Sequence, residues 1–353
     1  MVKNTSIAVT VLISVSCLFG LLSGKSFRTD RNVIAVGEAP FALAVNSATN
    51  KIYVANFGDG TVTVIDGKSG ASDTVRAGNR PAAVVVNSRN NRIYVANEAD
   101  NTVTVMDGGS NLTSTIAVGK APAAVVVNEE TGMVYVANQL GRSVTAIDES
   151  GRTLTIPAGI TPSAIAVNPA TNKIFVANLG SDDLTVIDGR DNATKQIAVG
   201  ASPFALAVDE ERTMVYVANR ADGTVTAVDA EEHTSRFRVK TQPVALAVER
   251  HSGKVYVANA LTNDVSVIDA ALGTVSTIPA GDAPQALIAN PLTNQIYVAN
   301  QESNTVTVLA EAGASRKSFA VGASPRAMAF NPVTNRVYVA NLRGKSVSVI
   351  KAD

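Results

Sequence analysis

Eight side chains in predicted loops or strand ends carry the charged, amide and aromatic groups that recognition sites use. They are Phe41, Arg80, Lys120, Phe204, Arg220, Gln285, Arg326 and Arg343. Guanidinium groups bind carboxylates through paired hydrogen bonds, and aromatic rings offer large contact areas. These residue types suit the binding of a protein, a glycan or a cell-wall polymer. We therefore take them as the candidate binding set.

Catalytic chemistry has less support in the sequence. No Gly-x-Ser-x-Gly, P-loop, dinucleotide fingerprint or zinc-ligand spacing occurs. The two histidines, His233 and His251, belong to an acidic patch with Asp209, Glu210, Glu211, Glu231, Glu232 and Glu249. Oxygen ligands of that kind suit a hard cation, but the spacing matches no ligand pattern and favours a solvated charged edge. We predict no catalytic residue, no metal and no cofactor.

A tetrapeptide repeat determines where the candidate residues lie. The sequence Tyr-Val-Ala-Asn, once with Phe for Tyr, begins at Tyr53, Tyr94, Tyr135, Phe175, Tyr216, Tyr256, Tyr297 and Tyr338. Successive copies are 40 or 41 residues apart, which leaves almost no room for insertions. A fixed period of this length is typical of a repeat architecture built from one supersecondary unit.

Each unit contains four short runs rich in Val, Ile, Thr and Tyr. In the fourth unit they are Thr155 to Ala158, Ala164 to Val167, Lys173 to Asn178 and Leu184 to Ile187. This pattern predicts four antiparallel strands per unit. The runs do not alternate cleanly between apolar and polar residues, which is typical of sheets covered on both faces, as in a radial stack. The second run has the smallest side chains, so we predict that it is innermost.

Turn residues separate the runs at regular places. A Gly-x-x-Pro sequence precedes the second run in seven units, and we predict that its glycine takes a positive φ while the proline presets the turn. A residue suited to left-handed backbone precedes the third run, as at Asn50 and Asn91. The fifth unit has Thr213 there, and a β-branched residue tolerates that backbone poorly.

Residues common to all units most simply serve the fold, and irregular residues are the candidates for function. The tag asparagines, and the Asp that ends most fourth runs, are predicted to stabilise turns. The irregular residues fall in the loops before the second run and after the tag, which leave an antiparallel meander on the same side. Phe41 and Phe204 are four units apart, hence opposite each other in a ring of eight.

Closure of the ring needs a strand from each end of the chain. Val33 to Gly37 would supply the outer strand of the last blade, beside the runs near Arg326, Arg336 and Ser346. We therefore predict one all-β domain over residues 27–353, an eight-bladed β-propeller of four-stranded antiparallel blades closed by the N-terminal strand. Seven blades is the alternative.

Residues 1–26 differ in kind from the repeats. A lysine is followed by the apolar stretch from Ile7 to Leu22 and then by small residues, which favours a secretion signal. An uncleaved membrane anchor is the alternative, and Cys17 lies in an incomplete lipoprotein-like sequence. We expect an exported protein that is periplasmic, secreted or at the cell surface. We expect membrane contact only through this segment, if it is uncleaved or lipidated.

Charge adds one exclusion. The 30 basic residues equal the 30 acidic residues, so the formal charge is zero. A balanced charge does not favour nucleic acid as a partner.

The repeated motifs resemble the YVTN family of β-propeller repeat proteins, with Ala in place of Thr in every tag. The resemblance rests on Gly-x-x-Pro, on the Asn-Lys-Ile-Tyr-Val-Ala-Asn segment and on Thr-Val-Thr-Val-Ile-Asp, and covers residues 33–350. It implies a propeller that binds ligands around the mouth of its central channel.

Three functions follow as hypotheses. We expect first a non-enzymatic scaffold that binds a protein, glycan or cell-wall partner through its variable loops. The resemblance also allows a lactonase-like hydrolase with metal and carboxylates in the channel. A structural cell-surface layer component is the third alternative.

Overall fold

The protein folds as an eight-bladed β-propeller. The computed structural model describes residues 32–310 and 316–352, and the predicted N-terminal segment 1–26 lies outside them. The described residues form eight antiparallel sheets of four strands each. Each innermost strand lies against the innermost strands of both neighbouring blades, and that of the first blade lies against that of the last. The predicted fold class is confirmed, and the seven-bladed alternative is wrong.

The strands follow the chain from the inside of each blade to the outside. Blades 1 to 4 comprise β2 Pro40–Asn46, β3 Lys51–Asn56, β4 Thr61–Asp66, β5 Ser72–Arg76; β6 Pro81–Asn87, β7 Arg92–Asn97, β8 Thr102–Asp107, β9 Thr113–Ala117; β10 Pro122–Val127, β11 Val134–Asn138, β12 Ser143–Ile147, β13 Thr153–Pro157; β14 Pro162–Asn168, β15 Lys173–Asn178, β16 Asp183–Asp188 and β17 Thr194–Ala198. Blades 5 to 8 comprise β18 Pro203–Asp209, β19 Met214–Asn219, β20 Thr224–Val228, β21 Thr234–Arg238; β22 Pro243–Val248, β23 Val255–Asn259, β24 Asp264–Asp269, β25 Thr274–Pro279; β26 Pro284–Ala289, β27 Ile296–Asn300, β28 Thr305–Leu309, β29 Arg316–Ala320; β30 Pro325–Asn331, β31 Arg336–Asn341, β32 Ser346–Lys351 and β1 Asn32–Ala35. No helix long and apolar enough to cross a membrane is found in the part of the chain that the structure describes.

The two ends of the chain meet in blade 8, as predicted. Strand β1 pairs with β32, with Val33 opposite Ser348 and Ile34 opposite Val347. Side chains then join blade 8 to blade 1, because Asn331 Nδ2 donates to Asn50 Oδ1 at 2.7 Å. The last blade is thus held by residues far apart in sequence.

The tag strands form the centre of each blade. In β3, Ile52, Tyr53, Val54, Ala55 and Asn56 are all fully buried. Burial of successive residues means that both faces of the sheet are covered, here by the neighbouring blades. The predicted position of the second run is also confirmed, since β2 is the innermost strand of its blade and lies against β6 and β30.

The tag asparagines stabilise the turn that follows them, which agrees with their predicted structural role. Asn56 is buried, and its Nδ2 donates to Thr61 Oγ1 at 3.0 Å and to Thr63 Oγ1 at 2.9 Å. All eight copies donate to side-chain oxygens five and seven residues later. Each asparagine therefore joins its own strand to the next one.

The predicted role of the Gly-x-x-Pro glycine is wrong. The residue with positive φ is the one before proline, as in Ala39 at 50° and Arg80 at 54°. Glycine is needed instead because the tag asparagine packs against it. A Cβ atom on Gly37 would lie 2.6 Å from Asn56 Nδ2, and the other six glycines of this type meet their asparagines at 2.5 to 2.7 Å.

The left-handed residue before the third run is confirmed in all eight blades. Its φ is 53° at Asn50 and 54° at Thr213. Some of these residues also join blades. Asn128 Nδ2 donates to Asn172 Oδ1 of the next blade at 2.7 Å. Thr213 has no carboxamide with which to accept such a bond from Asn168 of blade 4.

The close approach of glycine and asparagine makes Gly119→Ala destabilising. Its Cβ would lie 2.5 Å from Asn138 Nδ2, so the carboxamide must move away from its two hydroxyl partners. We expect a loss of about 1 to 3 kcal/mol in the free energy of unfolding, measured by urea titration. Gly109→Ala is the control, since its nearest contact would be 3.3 Å. Equal losses in both variants would contradict the packing role.

The strained backbone at Thr213 predicts stabilising substitutions. Thr213→Asn should raise the free energy of unfolding by about 1 kcal/mol, because asparagine tolerates this φ and adds an acceptor for Asn168. Thr213→Gly should gain less, because it adds no acceptor and frees the unfolded chain. Thr234→Asn, at an exposed strand position of the same blade, should give no gain. A glycine variant as stable as the asparagine variant would rule out the inter-blade bond.

Candidate functional site

One end of the propeller is built from the two loop sets that the sequence singled out. In blade 1 the Phe57 N–H donates to the Ala39 carbonyl at 3.0 Å, and in blade 2 the Glu98 N–H donates to the Arg80 carbonyl at 3.0 Å. Equivalent bonds occur in the other six blades. The residues before each inner strand and after each tag thus share one surface, which we call the mouth face. Four of the predicted binding residues belong to these loops, namely Arg80, Lys120, Arg220 and Arg343. The other four are the second residues of inner strands that begin at this face, namely Phe41, Phe204, Gln285 and Arg326.

Three blades contribute to an aromatic and cationic stack on this face. Arg326 Cζ lies 4.5 Å from the centroid of the Phe41 ring. The Phe41 and Phe57 rings stack with centroids 5.1 Å apart. Arg80 Cζ lies 4.6 Å from the Phe57 centroid. We call these four residues the mouth stack. It joins blades 8, 1 and 2.

A bulge at the start of each inner strand positions the inner residues of the stack. Pro40 pairs with Asn56 and Ala42 with Ala55, so Phe41 is an extra residue between them. Arg326 holds the same place in blade 8. The bulge frees these side chains from the regular alternation of the strand and re-aims them.

Arg326 is the unusual member of the stack. Its side chain is buried, with 5% of the residue exposed. Burial away from water lowers the pKa of its guanidinium to about 10. The group therefore remains charged at neutral pH. A buried charge of this kind is expensive, which singles the position out.

Blade 5 repeats part of the arrangement on the opposite side of the ring. Arg220 Cζ lies 5.0 Å from the centroid of the Phe204 ring, and Phe204 is 1% exposed. Phe41 is also buried, at 7% exposed. Both rings therefore support a guanidinium group and present almost no surface of their own.

The remaining predicted residues lie outside both clusters. Lys120 and Arg343 are exposed, and Gln285 is half-buried. The mouth stack also contains Phe57, which the sequence prediction did not include. Its signal was available, because Phe57 is the aromatic exception among the residues that follow the eight tags.

Acidic residues beside the mouth stack hold the loops in place. Asp59 Oδ2 accepts a hydrogen bond from the Glu38 N–H at 2.8 Å. Asp100 accepts from the backbone and side chain of Asn79, at 2.7 and 2.8 Å. Glu38 pairs with Lys345 of blade 8 at 2.5 Å. Arg80 pairs with Glu98 at 3.6 Å, and both side chains are partly exposed.

The inner strands give the channel an apolar wall. Their central residues are small or branched, as in Ala-Leu-Ala-Val of β2 and Ala-Val-Val-Val of β6. Among the inner strands, all of which the structure describes, the one carboxylate is Asp209 at the end of β18. It lies at the far end from the mouth and caps its own turn by accepting from the Arg212 N–H at 3.1 Å.

The acidic patch with the two histidines lies on the face opposite the mouth. Two of its members are buried turn residues, since Asp209 and Glu249 are each 2% exposed. The prediction of a solvated edge is wrong for these two. The side chains of Asp229, Glu231 and His233 come within 4.8 Å of one another. Asp229 already accepts the His233 N–H at 2.8 Å, so a turn explains this group.

Blades 4 and 5 meet beside this patch in a small polar cleft. Lys173 Nζ lies 3.4 Å from Glu232 Oε1, and Lys195 pairs with the other oxygen of the same carboxylate. Asp188 also lines the cleft. Its opposite charges neutralise one another and link the two blades.

Solved structures with the same architecture have widely different names. A hydrazine synthase of Kuenenia stuttgartiensis aligns with a TM-score of 0.64 at 17% identity, covering 94% of this chain and 99% of that one. Virginiamycin B lyase of Staphylococcus aureus aligns at 0.61 with 12% identity, covering 91% and 98%. Sqt1 of Saccharomyces cerevisiae aligns at 0.78 with 11% identity, also covering 91% and 98%. Likeness at such low identity concerns the fold alone.

Sequence comparison gives the family. No curated protein matches the chain. The sequence profile of the YNCE-like beta-propeller family matches residues 74–251, half of the chain, from the outer strand of blade 1 to the inner strand of blade 6. The chain belongs to the YNCE-like β-propeller family.

Proposed function

We propose that the protein is a non-enzymatic binding scaffold that holds a protein, glycan or cell-wall partner on its mouth face. The mouth stack carries this proposal. A fold made of eight similar units needs no buried arginine at one bulge, and seven of the eight blades do without it. The residues of the mouth stack depart from the repeat, and they are of the types that bind through charge and large contact area. Both properties favour a role in recognition.

The lactonase-like alternative has less support. Metal-assisted hydrolysis needs carboxylates or imidazoles that converge where the substrate binds. The central residues of the inner strands are apolar, and near the mouth stack Asp59 and Asp100 are bonded to loop atoms. The named neighbours include a synthase and a lyase, but a propeller hosts many functions.

The surface-layer alternative would use the outer strands as contact edges. Several of these strands carry basic side chains, including Lys195 in β17, Arg236 and Arg238 in β21, and Lys317 in β29. Charged side chains on an edge strand oppose edge-to-edge association. Binding through the mouth face is therefore the better supported of the two.

The proposal also covers the location of the protein and the repeat proteins that it resembles. Residues 1–26 support export to the periplasm, the medium or the cell surface, with cleavage, lipidation at Cys17 and retention as an anchor as the alternatives. The repeated tag supports kinship with YVTN-repeat proteins. The balanced charge supports a partner other than nucleic acid.

Charge reversal on the mouth face should weaken partner binding without unfolding the ring. Lys120 and Arg343 are exposed loop residues on this face. Affinity capture from extracts of the source organism, with cross-linking and mass spectrometry, identifies a partner. The double variant Lys120→Glu, Arg343→Glu should lower the affinity for it by about tenfold.

A second double variant controls for charge alone. Lys68→Glu with Arg152→Glu makes the same change in net charge on exposed turns at the opposite face, and should leave the affinity unchanged. Equal affinities for the two variants would reject the mouth face as the binding surface. Metal-dependent hydrolysis of lactones by the purified chain would establish the hydrolase instead.

A further inference from the structure

The mouth stack has one buried end and one exposed end. Arg326 is 5% exposed, whereas the Arg80 side chain is 55% exposed. We propose that the mouth face binds an acidic peptide segment of a partner protein, with a carboxylate of that peptide bound by the Arg80 guanidinium. This inference rests on the proposed binding function and specifies the chemistry of the ligand.

Phe57 supports the Arg80 guanidinium. A guanidinium group packed on a ring uses its flat face, while its N–H donors lie in the plane and point past the ring. Arg80 Cζ lies over the Phe57 ring, 4.6 Å from its centroid. A carboxylate matches the forked donors with two parallel hydrogen bonds. Contact with the ring restricts the guanidinium and so lowers the conformational entropy that such a bond would cost.

The internal partner of Arg80 leaves room for a ligand. Glu98 Oε2 is 3.6 Å from the guanidinium nitrogen, which is longer than a hydrogen bond. Both side chains are partly exposed, and ion pairs of this kind contribute little to stability. A second carboxylate can therefore bind the guanidinium at small cost.

The carboxylates near Arg80 already have partners. Asp59, Asp100 and Glu38 are each bonded to loop atoms or to Lys345. A ligand carboxylate at Arg80 therefore competes with Glu98, whose carboxylate pairs with this guanidinium at 3.6 Å.

Coverage of the aromatic rings argues against a sugar or a nucleic acid. Sugars and bases both stack on open ring faces. Phe41 is 7% exposed, with Phe57 and Arg326 packed against it. Arg80 also covers Phe57. What the stack offers to a ligand is the guanidinium edge and not a ring.

The next blades around the ring add apolar contacts. Leu140, in the loop after the tag of blade 3, is 72% exposed, and Ile160, in the loop before the inner strand of blade 4, is 41% exposed. The exposed Lys120 lies on the mouth face of blade 3. A peptide that carries both carboxylates and apolar side chains matches this mixture of charged and apolar residues on neighbouring blades. A purely polar chain would leave the apolar residues uncovered.

Fluorescence anisotropy tests the proposal with a defined probe. The probe is a fluorescein-labelled peptide of repeated Glu-Glu-Leu-Ser units, and its partner probe has Gln in place of Glu. We expect the acidic peptide to bind the purified chain, more weakly as salt is raised, and the Gln peptide not to bind. Arg80→Gln should weaken binding by about tenfold, and Arg80→Lys by less, because lysine keeps the charge and loses the fork.

Two further variants separate orientation from stability. Phe57→Leu keeps every charge and removes the ring beneath Arg80, so we expect binding to weaken by about threefold. Lys68→Gln, on the opposite face, should leave binding unchanged. Melting temperatures identify any variant that loses its fold. If Arg80→Gln unfolds, Arg80→Lys and Phe57→Leu test the proposal, and both should weaken binding of the acidic peptide. Unchanged binding in both variants would contradict it.

Specific results would overturn the inference. These are equal binding by Arg80→Gln and the unchanged chain, equal binding of the Gln peptide, or tighter binding of oligothymidylate or of a hyaluronan oligosaccharide. The proposed function is tested separately, with the captured partner. A chain that ignores the acidic peptide, yet loses its captured partner when Lys120 and Arg343 are reversed, keeps the binding function and excludes the acidic peptide.

Discussion

Burial between blades is the constraint on which the rest of the structure depends. A four-stranded sheet cannot cover its own two faces, and the tag strands are buried on both. Each blade therefore needs two neighbours, and the first and last blades need each other. This explains why β1 completes the sheet of β32, and why Asn50 and Asn331, at opposite ends of the sequence, share a hydrogen bond. Closure replaces an exposed sheet edge with an ordinary strand pair.

The same constraint separates residues that serve the fold from residues that do not. Inter-blade packing repeats eight times, so the residues that meet its needs repeat as well. The tag asparagine, the glycine against which it packs and the left-handed turn residue all belong to this group. Arg326, Phe57 and Arg80 meet no need that the other blades share. Their meeting in one stack is therefore the part of the structure that repetition does not explain.

The sequence was sufficient to predict the fold because each strand and turn pattern recurs in eight units. Strand order, blade number and the closing strand were all predicted, and the boundaries differ slightly, as in β13, which begins at Thr153 and not at Thr155. The role of the glycine was missed, because glycine permits both a positive φ and a close approach, and the pattern alone does not distinguish them. At Gly37 the close approach of the Asn56 side chain is what requires glycine.

The candidate site was less predictable, because it depends on contacts between blades. The loops of the mouth face followed from the meander, and Phe41, Arg80 and Arg326 were identified as irregular residues. Their stacking was not predictable, since it depends on the bulge and on how adjacent blades are placed. Phe57 was not predicted, because its role depends on contacts with Phe41 of its own blade and Arg80 of the next.

The buried arginine indicates how a repeat scaffold can tolerate a departure from its symmetry. Removing a guanidinium from water costs several kcal/mol, and a domain of ordinary stability tolerates few such groups. A closed ring distributes its stability over many similar interfaces, so one unfavourable position affects a small part of the total. The Phe41 ring recovers part of the cost through its contact with the guanidinium. The repeated interfaces therefore supply the stability that a buried charge at one bulge requires.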